Sequence, residues 1–164
     1  MFFLTQFFSA ATSAGDAAIP DAIKAPEGNS AYLTAHAKGD QIFHCVLKTG
    51  EYSWEWHAPE AKLYDTQNQA LVGSHGAGPS WTYKDGSNVT AKAIQKADAP
   101  EKTSASWLLL EVTENQHDGV LAKASFIQRI NTLGGVAPLS GCDANHLGSE
   151  KRVIYSADYT FYSK

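Results

Sequence analysis

Residues 73–81, GSHGAGPSW, crowd three glycines, a proline, a histidine and a tryptophan into nine positions. Glycine lets the backbone approach a ligand closely, so His75 could present a polar ring there with Trp81 as an apolar wall. A phosphate loop does not fit. The dinucleotide fingerprint follows a strand and opens a helix, whereas Pro79, Ser80 and Trp81 lead into another extended run. The same residues also suit a tight β-corner with Trp81 in the core, and this reading is preferred because it accounts for the glycines and the proline. His75 is the residue that backbone geometry does not require.

Trp54 and Trp56 are two positions apart, so on a strand their indoles share a face. Such a pair can form a stacking platform for a sugar ring or a flat small molecule, or can simply cover a half-exposed sheet under a loop. Arg129 sits in FIQRINT among apolar neighbours and is one of two arginines, with Arg152. A guanidinium there either pairs with a carboxylate or faces an anionic ligand, and the pair is the expectation. Asp85, in DGS, and Asp158, in SADY, are the carboxylates that could orient His75 as a general base. Asp85 is more simply a turn residue whose side chain bonds the backbone. No G-x-S-x-G nucleophile elbow occurs. His36, His44, His57, His75, His117 and His146 include no H-E-x-x-H, so no metal site is expected, and no cofactor either.

These residues need elements to hold them, and the chain reads as strands. Short β-prone runs recur from residue 28 onward: AYLTAHA, QIFHCVLK, YSWEW, KLY, ALVGS, WTYK, NVTAKAIQ, SWLLLEVTE, VLAKASFIQRI and RVIYSADYTFY. Turn signals such as KGD, TGE, HAPEA, DTQNQ and DGS separate them. The pattern predicts an all-β, single-domain antiparallel sandwich or barrel of about nine strands. GVLAKASFIQRINT is the strongest competing helix, and it too is read as a strand. Trp107 heads the apolar WLLL run and belongs to the core. Residues 1–25 read as a leader or N-terminal arm, and 26–164 as the β domain.

The chain has 164 residues, enough for one sizeable core. Its 13 basic and 17 acidic residues give a net charge of −4. With no basic run, a nucleic-acid partner is not expected. No apolar run reaches the roughly 18 residues of a spanning helix. MFFLTQFFSAATSAG has the apolar stretch and small residues of a signal peptide but lacks its positive start. Cys45 and Cys142 are the only cysteines, either joined in a disulfide or both free and buried. Asn88-Val89-Thr90 is a glycosylation sequon.

QIFHC, WEWHAPEAKL, VGSHGAGPSW, DGSNV, WLLLEV, IQRINTLGGVAP, GCD and YSADYTFY, in this order, resemble a domain-of-unknown-function family of mostly secreted bacterial and fungal proteins. The resemblance covers about residues 25–163. Its characteristic positions include Cys45, Pro59, His75, Trp81, Asp85, Trp107, Arg129, Gly135, Cys142, Tyr155 and Tyr159. It implies export and a Cys45–Cys142 disulfide, and it assigns no catalytic residue. Some fungal members carry the label malate dehydrogenase. The residues here argue against that chemistry, since no strand–GxGxxG–helix unit and no βαβ alternation are present.

The leading expectation is a secreted or cell-surface, non-enzymatic binding or structural domain for a carbohydrate or small apolar ligand, built on Trp54, Trp56, Trp81 and His75, with Asp85 and Arg129 as further candidate contacts. A hydrolase or isomerase using the His75 loop is the second reading. The third is a self-assembling surface or filament subunit, a homo-oligomer formed through its N-terminal arm.

Overall fold

The computed structural model describes residues 17–164. Eight strands follow one another: β1 (Ser30–Lys48), β2 (Glu51–Asp65), β3 (Leu71–Gly76), β4 (Ser80–Tyr83), β5 (Asn88–Ala97), β6 (Trp107–Gln116), β7 (Phe126–Gly134) and β8 (Glu150–Ser163). Each pairs antiparallel with its neighbours in sequence, and β8 returns to pair with β1, so the sheet closes into an up-and-down barrel. The expected all-β fold is therefore present, and of the two expected architectures the barrel is the one adopted. No α-helix occurs among the described residues, and a single 3-10 turn spans Asp21–Ile23.

The strand count falls from about nine to eight because two expected breaks stay inside strands. KGD does not end a strand. β1 runs through it, and Gly39 is needed there for closeness rather than for a turn. A Cβ on Gly39 would lie 2.1 Å from the Glu60 carbonyl oxygen of β2. HAPEA likewise stays inside β2, where the register shifts between Ile42 and Phe43 and leaves His57 as the extra residue of a bulge. Conversely, VLAKAS is not strand. It forms turns, and pairing begins only at Phe126. DGS is the hairpin turn its residues predict, with Gly86 at φ +90°.

Side chains inside the barrel alternate large and small. β8 sends in Tyr155, Ala157, Tyr159 and Phe161, opposite Ala35 and Ala37 of β1 and beside Leu63, Trp81, Leu110 and Ile127. An eight-stranded barrel has an interior just wide enough for such a filling. Trp107 is buried, but in a second cluster on the outer wall. It packs there with Leu109, Ile23 and Ile19, and the Gln128 amide fixes the Ile23 carbonyl at 2.7 Å. This cover explains why WLLLEV is apolar on both faces: Leu108 and Leu110 point inward while Trp107 and Leu109 point out. Of the segment read as a leader or arm, residues 17–25 supply this cover, and residues 1–16 lie outside the described residues.

Cys45 and Cys142 are joined in a disulfide across a separation of 97 residues, tying β1 to the long β7–β8 loop. The alternative of two free thiols is excluded.

Candidate functional site

In an up-and-down barrel, alternate hairpin loops gather at one end. The β1–β2, β3–β4, β5–β6 and β7–β8 loops share one mouth, and a cavity of about 970 Å³ opens there. Its size falls at the upper end of small-molecule sites. Gln41, Phe43, Trp56 and Pro59 line one side, His75, Trp81 and Tyr159 line the floor, and residues 98–106 with 135–137 form the opposite rim.

His75 and Trp81 are cross-strand partners in the β3–β4 hairpin, and their rings stack with centroids 4.3 Å apart. GSHGAGPSW is thus both the β-corner and a wall of the cavity. The His75 Nδ1 lies 2.8 Å from the Ser80 carbonyl oxygen, which can only accept, so Nδ1 carries the proton. Nε2 lies 3.1 Å from the Tyr159 hydroxyl, and that oxygen lies 3.3 Å from the Tyr155 hydroxyl. Burial holds the His75 ring neutral, with its pKa pushed down to about 3. The Ser80 carbonyl opposes this shift, and the positive Arg129 adds to it. A neutral ring protonated on Nδ1 accepts at Nε2, which fixes the direction of the whole chain. Tyr155 donates to Tyr159, and Tyr159 donates to His75. Burial also raises the pKa of both phenols, so each keeps its proton.

Arg129 corrects the expectation of a carboxylate partner. It lies opposite Tyr159 in the β7–β8 register and points into the barrel. Its Nε and Nη2 donate to the Ser106 carbonyl at 3.1 and 2.7 Å. Among the described residues it makes no ion pair, although Arg152 on the outer surface gathers Asp40, Glu60 and Glu150. The guanidinium therefore faces the cavity with N–H groups to spare.

Gln41 is only 2% exposed. Its Oε1 accepts from the Trp56 indole at 2.5 Å, which leaves the amide Nε2 as its free end. That nitrogen sits beside the Tyr155 hydroxyl without a well-formed hydrogen bond and has no partner among the described residues. The buried Trp81 Nε1–H is also without one. Buried polar groups are ordinarily satisfied, so two buried donors left over around one cavity are unusual.

The other candidates lie elsewhere. Trp56 is 47% exposed and lines the cavity, but Trp54 does not; its Nε1 donates to the Ser140 carbonyl beside the disulfide. Asp85 is at the opposite end of the barrel, where it bonds the Ser87 backbone and hydroxyl and the Val120 backbone, as a turn residue would. Asp158 is on the outer wall, paired with His36 at 2.6 Å and bonded by Asn131. Neither carboxylate reaches His75, so the arrangement proposed for a general base is not formed. Asn88 opens β5 and donates its Nδ2 to Thr82. Among the described residues no three His, Cys, Asp or Glu side chains gather as a metal site.

Sequence reasoning missed Gln41, Tyr155 and Tyr159 as site residues. The two-residue spacing of Tyr155, Ala157, Tyr159 and Phe161 is a signal that could have placed both tyrosines on the inner face, but nothing in QIFHC singles out Gln41 before the register is known. It also missed the β5–β6 loop, which supplies part of the rim.

The model of the family described as "Protein of unknown function (DUF3455)" matches residues 26–163, and the chain belongs to that family. No curated protein and no solved structure matches the chain.

Proposed function

We propose that this DUF3455 domain is a non-enzymatic binding protein that takes one small, largely apolar molecule into the mouth of its barrel. The observation that carries this reading is the cavity itself: aromatic and aliphatic walls around a few buried polar donors without partners. That composition is typical of small-molecule sites. A sugar is the poorer occupant. Trp81 is buried against His75 and cannot serve as an open stacking platform, Trp54 is outside the cavity, and Trp56 alone remains.

The other two readings have less support. A histidine held neutral, with no carboxylate near it, is poorly placed as a general base. A sheet closed on itself has no open edge strand for a neighbour's arm to join. Export is part of the proposal: the Cys45–Cys142 disulfide suits an oxidising compartment. No helix among the described residues is long and apolar enough to cross a membrane.

Native mass spectrometry of protein purified from its own source, compared with its denatured mass, tests the reading. A non-covalent adduct that disappears on denaturation is the expected result. A bare native mass, together with no binding by a panel of apolar small molecules in titration calorimetry, would overturn it.

A further inference from the structure

We infer that the group recognised inside the barrel mouth is a carboxylate, held by Arg129 with the Gln41 amide as a further donor, so that the ligand is an apolar carboxylic acid. This rests on the binding reading above and names the chemistry of its polar end.

A guanidinium has five N–H donors. Two nitrogens of Arg129 are spent on one oxygen, the Ser106 carbonyl, which fixes the plane of the group; the remaining N–H bonds approach the Tyr159 hydroxyl but make no well-formed hydrogen bond. A charge set in a largely apolar cavity is ordinarily paired, because desolvation without a counterion is expensive. Asp98 and Glu101 line the outer rim of the same cavity, but neither forms an ion pair with Arg129, and the groups of the floor supply no counterion. His75 is neutral, Tyr155 and Tyr159 keep their protons, and Gln41 has already given its oxygen to Trp56. Gln41 and Arg129 lie on either side of the Tyr155–Tyr159 hydroxyl pair, the amide beside Tyr155 and the guanidinium beside Tyr159. The polar floor is thus one positive charge and a set of neutral donors, with its acceptors engaged internally.

The complement of that floor is an acceptor-only group carrying one negative charge. A carboxylate has the planar, two-oxygen shape that a guanidinium binds best. A phosphate monoester would bring close to two charges against the single cation of the floor, and its second charge would have to be met at the rim, by Lys92, Lys96 or Lys102. The apolar walls then require that the rest of the molecule be hydrocarbon or aromatic.

The probes are dodecanoic acid and 2-naphthoic acid, each beside its methyl ester, with dodecyl phosphate as a third head group. Calorimetric titration at neutral pH reads the affinities on the intact protein. The acids should bind ~10- to 100-fold more tightly than their esters. Arg129→Gln should remove that preference while leaving ester affinity within about twofold, and Arg129→Lys should retain part of it. If Arg129→Gln does not fold, the acid-to-ester ratio in the natural protein and in Gln41→Leu carries the test, with a smaller ratio expected in the latter. Esters binding as well as acids would overturn the carboxylate assignment and leave the apolar cavity standing. Dodecyl phosphate binding more tightly than the acid would overturn it in favour of phosphate. No binding by any probe, with no adduct on the native protein, would overturn the underlying reading instead.

Discussion

The two ends of this barrel are built from the same strands and differ in what fills them. At one end the β6–β7 loop folds inward and places Leu121 and Ala124 in the core. Three side chains clamp it there. Asp85 accepts from the Val120 N–H at 2.7 Å, the Ser87 hydroxyl accepts from the Leu121 N–H at 3.1 Å, and Asn115 donates to the Leu121 and Ala124 carbonyls. The hydrogen bonds to Asp85, the Ser87 hydroxyl first, hold its carboxyl below the usual range. At the other end the loops stand around an open cavity, Gln41 and Trp81 keep buried donors without partners, and Arg129 has no counterion. Plugging needs apolar residues in the loop together with a clamp that satisfies its backbone. Where the loops lack that combination, the barrel stays open. One end is a finished core, and the other is the cavity that we propose as a binding site.

Removing the staple of the open end should have the largest effect. In the chain-entropy model a loop of about 100 residues contributes roughly 4–5 kcal/mol when cross-linked. The Cys45→Ala/Cys142→Ala double variant should lose about that much in chemical denaturation, and ligand affinity should fall with it because the β7–β8 loop forms part of the rim. Leu121→Ala tests the closed end. It should cost roughly 2–5 kcal/mol through the cavity it leaves, while the affinity of whatever occupies the open end stays unchanged. If Leu121→Ala impaired binding as much as stability, the two ends would not be independent.

Acid sharpens the contrast. The pKa of His75 is lowered from 6.5 to about 3. Below pH 6.5 the unfolded chain takes up a proton that the folded ring refuses until about pH 3. The stability from this site is therefore complete above pH 6.5 and is lost as pH falls toward 3, a change of a few kcal/mol. Denaturation midpoints at descending pH should show it, and His75→Gln should flatten that part of the profile. A smaller effect is expected at Trp56, whose ring is half-exposed. Trp56→Ala should weaken ligand binding by about three- to tenfold and cost roughly 1–2 kcal/mol, since it leaves the buried Gln41 oxygen without its donor. The smallest is Asp158→Asn. It breaks a partly exposed pair with His36 on the outer wall, worth about 0–1 kcal/mol, and should leave binding untouched. A loss of binding there would reopen the view that Asp158 serves the His75 site.

Much of the fold was legible because strand patterns and turns are local. The alternation in YSADYTFY, the DGS turn and the absence of capped helical stripes all follow from neighbouring residues. KGD and HAPEA misled for the same reason. Their composition signals a turn, but Gly39 answers to the approach of Glu60, and His57 to a bulge, and both depend on a strand that arrives later in the chain. The site was less legible. His75 and Trp81 stood out because they share one hairpin, whereas Asp85 is the turn residue that DGS predicts, and its place at the other end of the barrel keeps it from the cavity.

The sequence alone determined that the chain is all-β, that it had two cysteines available to pair, and that one histidine in a glycine-rich corner was not needed for the backbone. Each of these depends on residue type and short spacing. Only the tertiary structure decided that the strands close, that Tyr155 and Tyr159 lead hydrogen bonds to His75, that Gln41 turns its amide inward, and that Arg129 has a backbone carbonyl rather than a carboxylate for company. Those outcomes rest on which distant residues become neighbours when β8 meets β1. Burial and hydrogen-bond satisfaction, unlike strand propensity, are properties of neighbours in space.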